Sequence, residues 1–282
     1  MRKGRGTRGV GTPPRFLALV GILALLAACG RPLEPPAPVH LRIAGSTSMQ
    51  PLLENLAEAY SRRYKHVTIE VEGGGSRLGM ELARERRVDL GASSRPPSEE
   101  GPSAAAPLWS TPIALDGIAI VVHSRNPVKD LTMLQVRDIF SGRILNWKEV
   151  GGRDGEIAVV SREEGSGTRQ TFEEMAMGGR QVTPTAVVMP GSAAVVEYVA
   201  EHPEAIGYVS MGHLSPQVKA LAIEGVVPTP GSVEGGEYQL IRPLFLVAAE
   251  EPTGEARAFV DFALSPAGQA IVGERYGRIR VK

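Results

Sequence analysis

The sequence predicts an α/β fold resting mostly on parallel strands. Three observations carry that reading. Short apolar runs of strand length alternate with segments whose apolar residues recur at helical spacing, the pattern of strand–helix–strand units. The chain has 282 residues, 43% hydrophobic and 22% charged, an ordinary globular composition with room for about two domains. No repeat of solenoid period is visible, and the 33 glycines and 22 prolines follow no fixed spacing, so solenoid, collagen-like and coiled-coil readings fail.

Taken in order, His40 to Ala44 is a short strand. Met49, Leu52, Leu53, Leu56, Ala57 and Tyr60 then mark one face of a helix, and Thr47 with Gln50 has the form of a capping box at its start. Val67 to Val71 alternates apolar and polar residues as a half-buried strand does. A turn at Gly73-Gly74-Gly75-Ser76 leads into a helix from Leu78 to Arg86, and Val88 to Ala92 is the next strand. Ile118 to Val122 is apolar throughout, which fits a strand buried on both faces. Helix follows over Leu131–Phe140, strand over Ile157–Val160, and helix over Thr168–Met177. The pattern continues with helix at Ala194–Ala200, strand at Ala205–Val209 and strand at Leu240–Ala248. Thr253–Leu264 and Ala267–Tyr276 close the chain as two helices.

The first residues read as an address rather than as part of the fold. Residues 1–28 hold Arg2, Lys3, Arg5, Arg8 and Arg15 and no acid, and an apolar run extends from Phe16 to Ala28. The run is shorter than the roughly 20 residues needed to span a bilayer and matches the apolar core of a signal peptide. It ends in Leu26-Ala27-Ala28-Cys29-Gly30, similar to a bacterial lipobox, and Cys29 is the chain's only cysteine. The expected division is a lipoprotein signal peptide at 1–28 and a lipidated Cys29 with a Pro-rich tether at 29–38. This places the body outside the cytoplasm, held at a membrane surface through a lipid such as palmitate on Cys29. A lone cysteine excludes an internal disulfide scaffold, and the five His do not cluster at metal-ligand spacing. The formal charge of zero hides a mildly acidic body, because residues 29–282 hold 26 basic and 31 acidic residues. That balance argues against nucleic acid as a partner.

Three strand-to-helix turns share one chemistry. Ile43-Ala44 runs into Gly45-Ser46-Thr47-Ser48, Glu70-Val71-Glu72 into Gly73-Gly74-Gly75-Ser76, and Val159-Val160-Ser161 into Arg162-Glu163-Glu164-Gly165-Ser166-Gly167-Thr168. A weaker fourth case is Gly91-Ala92 into Ser93-Ser94-Arg95. A helix start exposes unpaired N–H groups and partial positive charge, and glycine lets a ligand oxygen approach the backbone. Ser and Thr hydroxyls add donors, and Arg162 and Arg95 can supply charge-assisted contacts of about 1.5–3 kcal/mol each. A single Ser at a helix start is ordinarily only a cap. Four such turns, two of them with an arginine, point to one small oxyanion bound at the C-terminal ends of the strands. Neither a Gly-x-Ser-x-Gly nucleophile elbow nor a P-loop occurs, so nothing directs the reading to an enzyme.

Specific stretches carry a family resemblance. AGSTSMQPL (44–52), GGGSRLG (73–79), DLGASSR (89–95), DIFSGRILNWKEVGG (138–152), REEGSGTR (162–169), AIGYVS (205–210) and RPLFLV (242–247) resemble the substrate-binding proteins of bacterial phosphate ABC transporters, in their shorter lipoprotein form. The likeness extends from about residue 40 to 280. It implies a type II periplasmic-binding-protein fold: two α/β lobes joined by two crossing strands, with the ligand between them. Lobe 1 would comprise 39–116 plus 241–282 and lobe 2 117–240, with crossings near Leu115–Ala119 and Gln239–Pro243. It also implies inorganic phosphate as cargo, permease subunits as partners, no cofactor or metal, and a monomer. Ser46, Thr47 and Ser48, Ser76, Ser94 and Arg95, and Arg162, Ser166, Gly167 and Thr168 are the expected phosphate contacts. Longer members carry an aspartate where this chain has Ser94, and that carboxylate accepts the proton phosphate retains and sulfate lacks. Glu163, Glu164 and Asp116 are candidate substitutes. A sulfate-type binding or sensing protein of the same fold is therefore the alternative, and a phosphatase the remote third.

Remaining candidates have structural readings. Trp147 and Trp109 are expected to pack, His123 to end a strand, Arg77 to lie on a helix face or reach the cleft, and Arg169 to brace the REEGSGTR loop against a carboxylate.

Overall fold

The structure, a computed structural model, describes residues 36–97 and 107–280 together with Met1, Gly4 and Gly6. The signal-peptide and lipobox expectations, Cys29 included, lie outside the described residues. The chain falls into two compact units, Met1–Ala37 and Pro38–Lys282, and the second carries the fold. Among the described residues no helix is long and apolar enough to cross a membrane.

The strands are β1 (Val39–Gly45), β2 (Val67–Glu72), β3 (Leu90–Ser93), β4 (Trp109–His123), β5 (Asp130–Leu131), β6 (Ala158–Arg162), β7 (Val187–Met189), β8 (Ala205–Ser210), β9 (Val218–Ala220), β10 (Ala222–Ile223) and β11 (Ile241–Ala248). The helices are α1 (Gln50–Arg63), α2 (Ser76–Arg84), α3 (Met133–Phe140), α4 (Gly167–Met175), α5 (Ser192–Glu201), α6 (Pro230–Glu234), α7 (Gly254–Leu264) and α8 (Pro266–Val272). Among the described residues nine strands form one sheet in the order β2-β1-β3-β11-β4-β8-β6-β7, with β9 paired to β4.

The sheet is mixed rather than mostly parallel. β1 pairs in parallel with β2 and β3, and β6 with β7 and β8. The ladders around β4 and β11 are antiparallel. The reason is connectivity: these two strands carry the chain between halves, so each must run against its neighbours. β4 is also far longer than the apolar run at Ile118–Val122. Its first part, Trp109–Gly117, pairs with β11, and its second part, Ile118–Val122, pairs with β8. The polar residues Ser110, Thr111 and Asp116 hid the first part from a hydrophobicity reading. β7, too short to show a period, was not legible either.

Packing follows the same division. Ile118, Ile120 and Val122 join a core with Phe140, Trp147, Phe172, Tyr208 and Leu240. The intervening Ala119 and Val121 face Val160, Val195 and Val199 on the other side. This period of two with both faces covered is what an all-apolar strand needs. A separate core gathers Leu41, Ile43, Leu52, Leu56, Tyr60, Ile113, Leu244, Leu246 and Phe259. Trp147 is buried in its core as expected and donates Nε1–H to the Glu204 carbonyl at 3.0 Å, while Trp109 packs partly buried against the other core. His123 ends β4, its Nδ1 accepting the Arg125 amide at 3.0 Å.

Aromatic stacking anchors the core beneath β6. Phe172 stacks on Tyr208 with centroids 4.1 Å apart, and Phe140 meets Phe172 edge-on at 4.8 Å. Phe140→Ala is expected to cost about 3–5 kcal/mol, measured by chemical denaturation. A loss below 1 kcal/mol would show that the neighbours collapse into the space.

Candidate functional site

Three helix starts and one turn meet at the ends of the parallel strands. Ser76 opens α2, Gly167 and Thr168 open α4, Ser192 opens α5, and Thr47 and Ser48 stand in the turn before α1. The backbone is shaped for this. Gly45 and Gly75 have φ of 138° and 92°, in the region that favours glycine, and the Gly75 amide donates to the Gly45 carbonyl at 2.9 Å. The expected capping box at Thr47 and Gln50 does not form: α1 begins after Met49 with no side-chain cap. The Thr47 hydroxyl instead turns to Arg162, which draws it more strongly than a neutral amide would.

The hydroxyls reach one another across long stretches of sequence. Ser48 Oγ lies 2.6 Å from Thr168 Oγ1 and 3.3 Å from Ser192 Oγ, and Thr47 Oγ1 lies 3.5 Å from Ser192 Oγ. Ser76 Oγ accepts the Ser94 amide at 3.0 Å and lies 3.2 Å from Ser94 Oγ. Gly167 joins the two groups. A Cβ at that position would stand 2.5 Å from Ser76 Oγ and 2.7 Å from Ser94 Oγ, so only glycine lets α4 come this close.

Two buried guanidiniums organise these hydroxyls. Arg162, at the end of β6 and 1% exposed, donates from Nη1 to Ser192 Oγ and from Nη2 to Thr47 Oγ1, both at 3.2 Å. Arg242 on β11 donates from Nη2 to Thr168 Oγ1 at 2.9 Å. Arginine has donors only. Thr47, Ser192 and Thr168 therefore spend a lone pair on arginine and keep their own protons for another acceptor. At the start of α4 the Gly167 and Thr168 amides have no intrahelical partner. The result is a concentration of N–H and O–H donors, with positive charge behind it, suited to a compact oxyanion.

Each guanidinium has its own carboxylate. Glu163 receives Nε and Nη2 of Arg162 at 3.0 and 2.9 Å. Asp116 Oδ2 receives Nε and Nη2 of Arg242 at 3.0 and 2.8 Å, and its Oδ1 receives Ser210 Oγ at 2.7 Å and the Met211 amide at 3.2 Å. Asp116 is fully buried. Burial pushes its carboxyl up from the ordinary range, against the opposing pull of Arg242, Ser210 and the Met211 amide. Glu163, Glu164 and Asp116, the candidate stand-ins for the missing aspartate, each have a defined place. Glu163 is paired with Arg162 through one bond to each of its oxygens, Asp116 is paired with Arg242, and Glu164 is exposed, its backbone carbonyl taking Arg77 Nη2 at 3.4 Å.

The other expected residues surround this centre. Ser166 caps α4, its Oγ accepting the Arg169 amide at 3.2 Å, and its hydroxyl proton stays available. Ser46 is buried at the start of its turn, its amide on the Ala92 carbonyl at 2.9 Å. Arg95 is buried after Ser94, and its amide donates to Ser93 Oγ at 3.3 Å. That fourth turn leads β3 into a bend at Ser94 and Arg95. Arg169 braces the loop as expected, with Nε on Glu173 Oε1 and Nη1 on the Arg162 carbonyl, both at 2.9 Å. Ser192 and Arg242 were missed as site residues. Ser192 follows the same strand–Gly–Ser–helix grammar as the other turns, but its strand is the three-residue β7. Arg242 becomes a neighbour of Thr168 only through the pairing of β11 with β4.

Fold and geometry together define the class of protein: two α/β lobes joined by crossing strands, with a donor-lined site between segments of both, is the architecture of a solute-binding protein. The sequence profile of the PBP superfamily domain matches residues 32–267. The chain is 33% identical over 263 residues to the phosphate-binding protein PstS of Bacillus subtilis, covering 89% of this chain and 87% of that one. It is 30% identical to PstS of Pseudomonas aeruginosa, over 83% and 80%. Among solved structures, a Clostridium perfringens protein crystallised with bound phosphate aligns with a TM-score of 0.81 and 39% identity, over 86% of this chain and all of that one. An ABC-type phosphate transport receptor from Vibrio cholerae aligns at 0.67 and 34%, over 85% and 100%. The chain belongs to the PstS family of phosphate-binding proteins, within the PBP superfamily and with its type II fold.

One contact at the site titrates. His213 Nε2 lies 2.8 Å from the Thr47 carbonyl oxygen, so Nε2 carries the proton. Burial holds this imidazole below the ordinary histidine range, reinforced by Arg162 and Arg275, against the pull of the Thr47 carbonyl and Glu54. The unfolded chain then takes up a proton near pH 6.5 that the folded chain resists, so stability falls as pH drops below about 6.5. His213→Gln can still donate to Thr47 and does not titrate. Its melting temperature is expected to fall less than that of the unsubstituted chain between about pH 7.5 and pH 5; equal falls would remove His213 as the cause.

Proposed function

We propose that this chain captures inorganic phosphate outside the cytoplasm and delivers it to the permease subunits of an ABC transporter, with no chemical step. The observation that carries the reading is the meeting of Thr47, Ser48, Thr168 and Ser192 beside Arg162 and Arg242, with Ser76 and Ser94 packed against Gly167 next to Thr168. The named cargo of the relatives supports it.

Binding exchanges one set of hydrogen bonds for another. The hydroxyl pairs at Ser48 and Thr168 and at Ser76 and Ser94 give way to bonds from the same hydroxyls to phosphate oxygens, which are stronger because the acceptor is charged. Arg162 supplies countercharge, and the Gly167 and Thr168 amides complete the shell with Ser166 at its edge. Ser46 and Arg95, buried in the turns that present Thr47 and Ser94, are the further phosphate contacts. The lobes divide at 39–116 plus 241–282 and 117–240, a reading supported by the separate cores on either side of Gly117 and Leu240. Cys29 carries the lipid that holds the protein at the membrane surface, and the protein acts as a monomer.

The alternative is an oxyanion protein of broader taste, sulfate included. The observation favouring it is that a neutral hydroxyl, Ser94, stands where a proton-accepting carboxylate would be, with Glu163 and Asp116 both engaged by arginine.

Calorimetric titration of residues 39–282 with phosphate is expected to show saturable binding, and no heat at millimolar phosphate would end the proposal. Sulfate competition across the pH range from about 5 to 9 separates the two readings: weak competition supports phosphate capture, and equal competition supports the broader protein. Arg162→Ala is expected to weaken phosphate binding by about 2–5 kcal/mol. Gly167→Ala is expected to reduce affinity at least about tenfold and to cost about 1–3 kcal/mol of stability, because the added methyl meets the buried Ser76 and Ser94 hydroxyls.

A further inference from the structure

Arg242 is 3% exposed, and its Nη1 has no hydrogen-bond partner among the described residues. Leaving a guanidinium N–H buried and unpaired is costly. The direction of that N–H follows from the planarity of the group. A guanidinium presents two paired edges, Nε with Nη2 and Nη2 with Nη1. Asp116 Oδ2 takes the first edge through Nε at 3.0 Å and Nη2 at 2.8 Å. The remaining hydrogen of Nη2 lies on the second edge and is donated to Thr168 Oγ1 at 2.9 Å. An N–H of Nη1 therefore runs alongside it, toward the side on which Thr168 meets Ser48 at 2.6 Å.

We propose that Arg242 makes a second cationic contact to the bound oxyanion through Nη1, held in its orientation by Asp116. This rests on the anion-capture reading above and extends it to a residue on the crossing strands. Asp116 is well suited to the positioning role. Four donors from two segments fix its oxygens, and it faces Arg242 directly across the β4–β11 ladder. The guanidinium is thus aimed before the ligand arrives, and the ligand's charge is tied to the strands that connect the two lobes. Arg162 and Arg242 approach the hydroxyl cluster from different strands, β6 and β11, so they bracket the anion rather than duplicate one contact.

The competing account is that Arg242 serves only as the structural partner of Asp116. Arg242→Lys discriminates, since it keeps the charge pair and removes the fork. The paired change Arg242→Gln with Asp116→Asn removes both charges together, so no charge is left unpaired in the interior. Phosphate calorimetry on the full chain in detergent is expected to show binding about tenfold to hundredfold weaker in both variants, with melting temperatures recorded alongside. In the unsubstituted chain, nitrogen-15 side-chain spectra are expected to show slower solvent exchange of the Arg242 Nη protons when phosphate is added. Affinity for Arg242→Lys within twofold of the unsubstituted chain overturns the contact, as does Nη exchange indifferent to phosphate. The exchange measurement decides the question if either variant fails to fold. If the unsubstituted chain binds no phosphate, the capture reading itself falls and the contact with it; a loss of the contact alone leaves phosphate binding in place.

Discussion

Everything at the candidate site depends on a simple asymmetry: arginine can donate hydrogen bonds and cannot accept them. A cluster of Ser and Thr side chains has no fixed polarity of its own, because each hydroxyl can point its proton either way. Placing Arg162 behind Thr47 and Ser192, and Arg242 behind Thr168, removes that ambiguity. Hydroxyls that could have formed a self-satisfied neutral network are turned into donors facing inward. Three helix starts add amides with the same polarity. A site of this kind needs no metal or mobile countercharge to favour an anion, since its selectivity for charge is set by which groups lack lone pairs to offer.

The fold is what lets distant segments share that polarity. β4 belongs to both halves of the sheet, with one stretch on β11 and the next on β8. Asp116 sits at the end of the first stretch, where the strand changes partners. Its bonds to Arg242 on one side and to Ser210 and Met211 on the other fasten the site to the junction. Breaking such a buried pair by removing one member costs about 3–5 kcal/mol, so the junction is rigid as well as central. Tyr276, whose hydroxyl donates to the Ser48 carbonyl at 3.2 Å, adds the C-terminal segment to the same assembly.

Much of this was legible in the sequence because it was local. The apolar alternation of β2, the helical spacing of α1 and the all-apolar second half of β4 each announce their element. The strand–glycine–serine–helix steps at Ser76 and at Gly167–Thr168 pointed to residues that the structure brings close together. What escaped is non-local or too short to carry a period. Ser192 was hidden by the three residues of β7. The partnership of Arg242 with Asp116 depends on a register between strands separated by more than a hundred residues. Thr47 shows how a correct motif can be used otherwise: the capping pattern is present, but a charged donor from β6 outcompetes the backbone for its hydroxyl.

The turn at Thr47 is fastened from several directions. Its hydroxyl is held by Arg162 and receives the Ser192 amide at 3.4 Å, while its carbonyl is held by His213. These ties come from three separate places in the chain, and releasing any one leaves the others in force. Displacing this turn is therefore a collective event, since it takes the coincidence of several ruptures rather than the loss of the weakest tie.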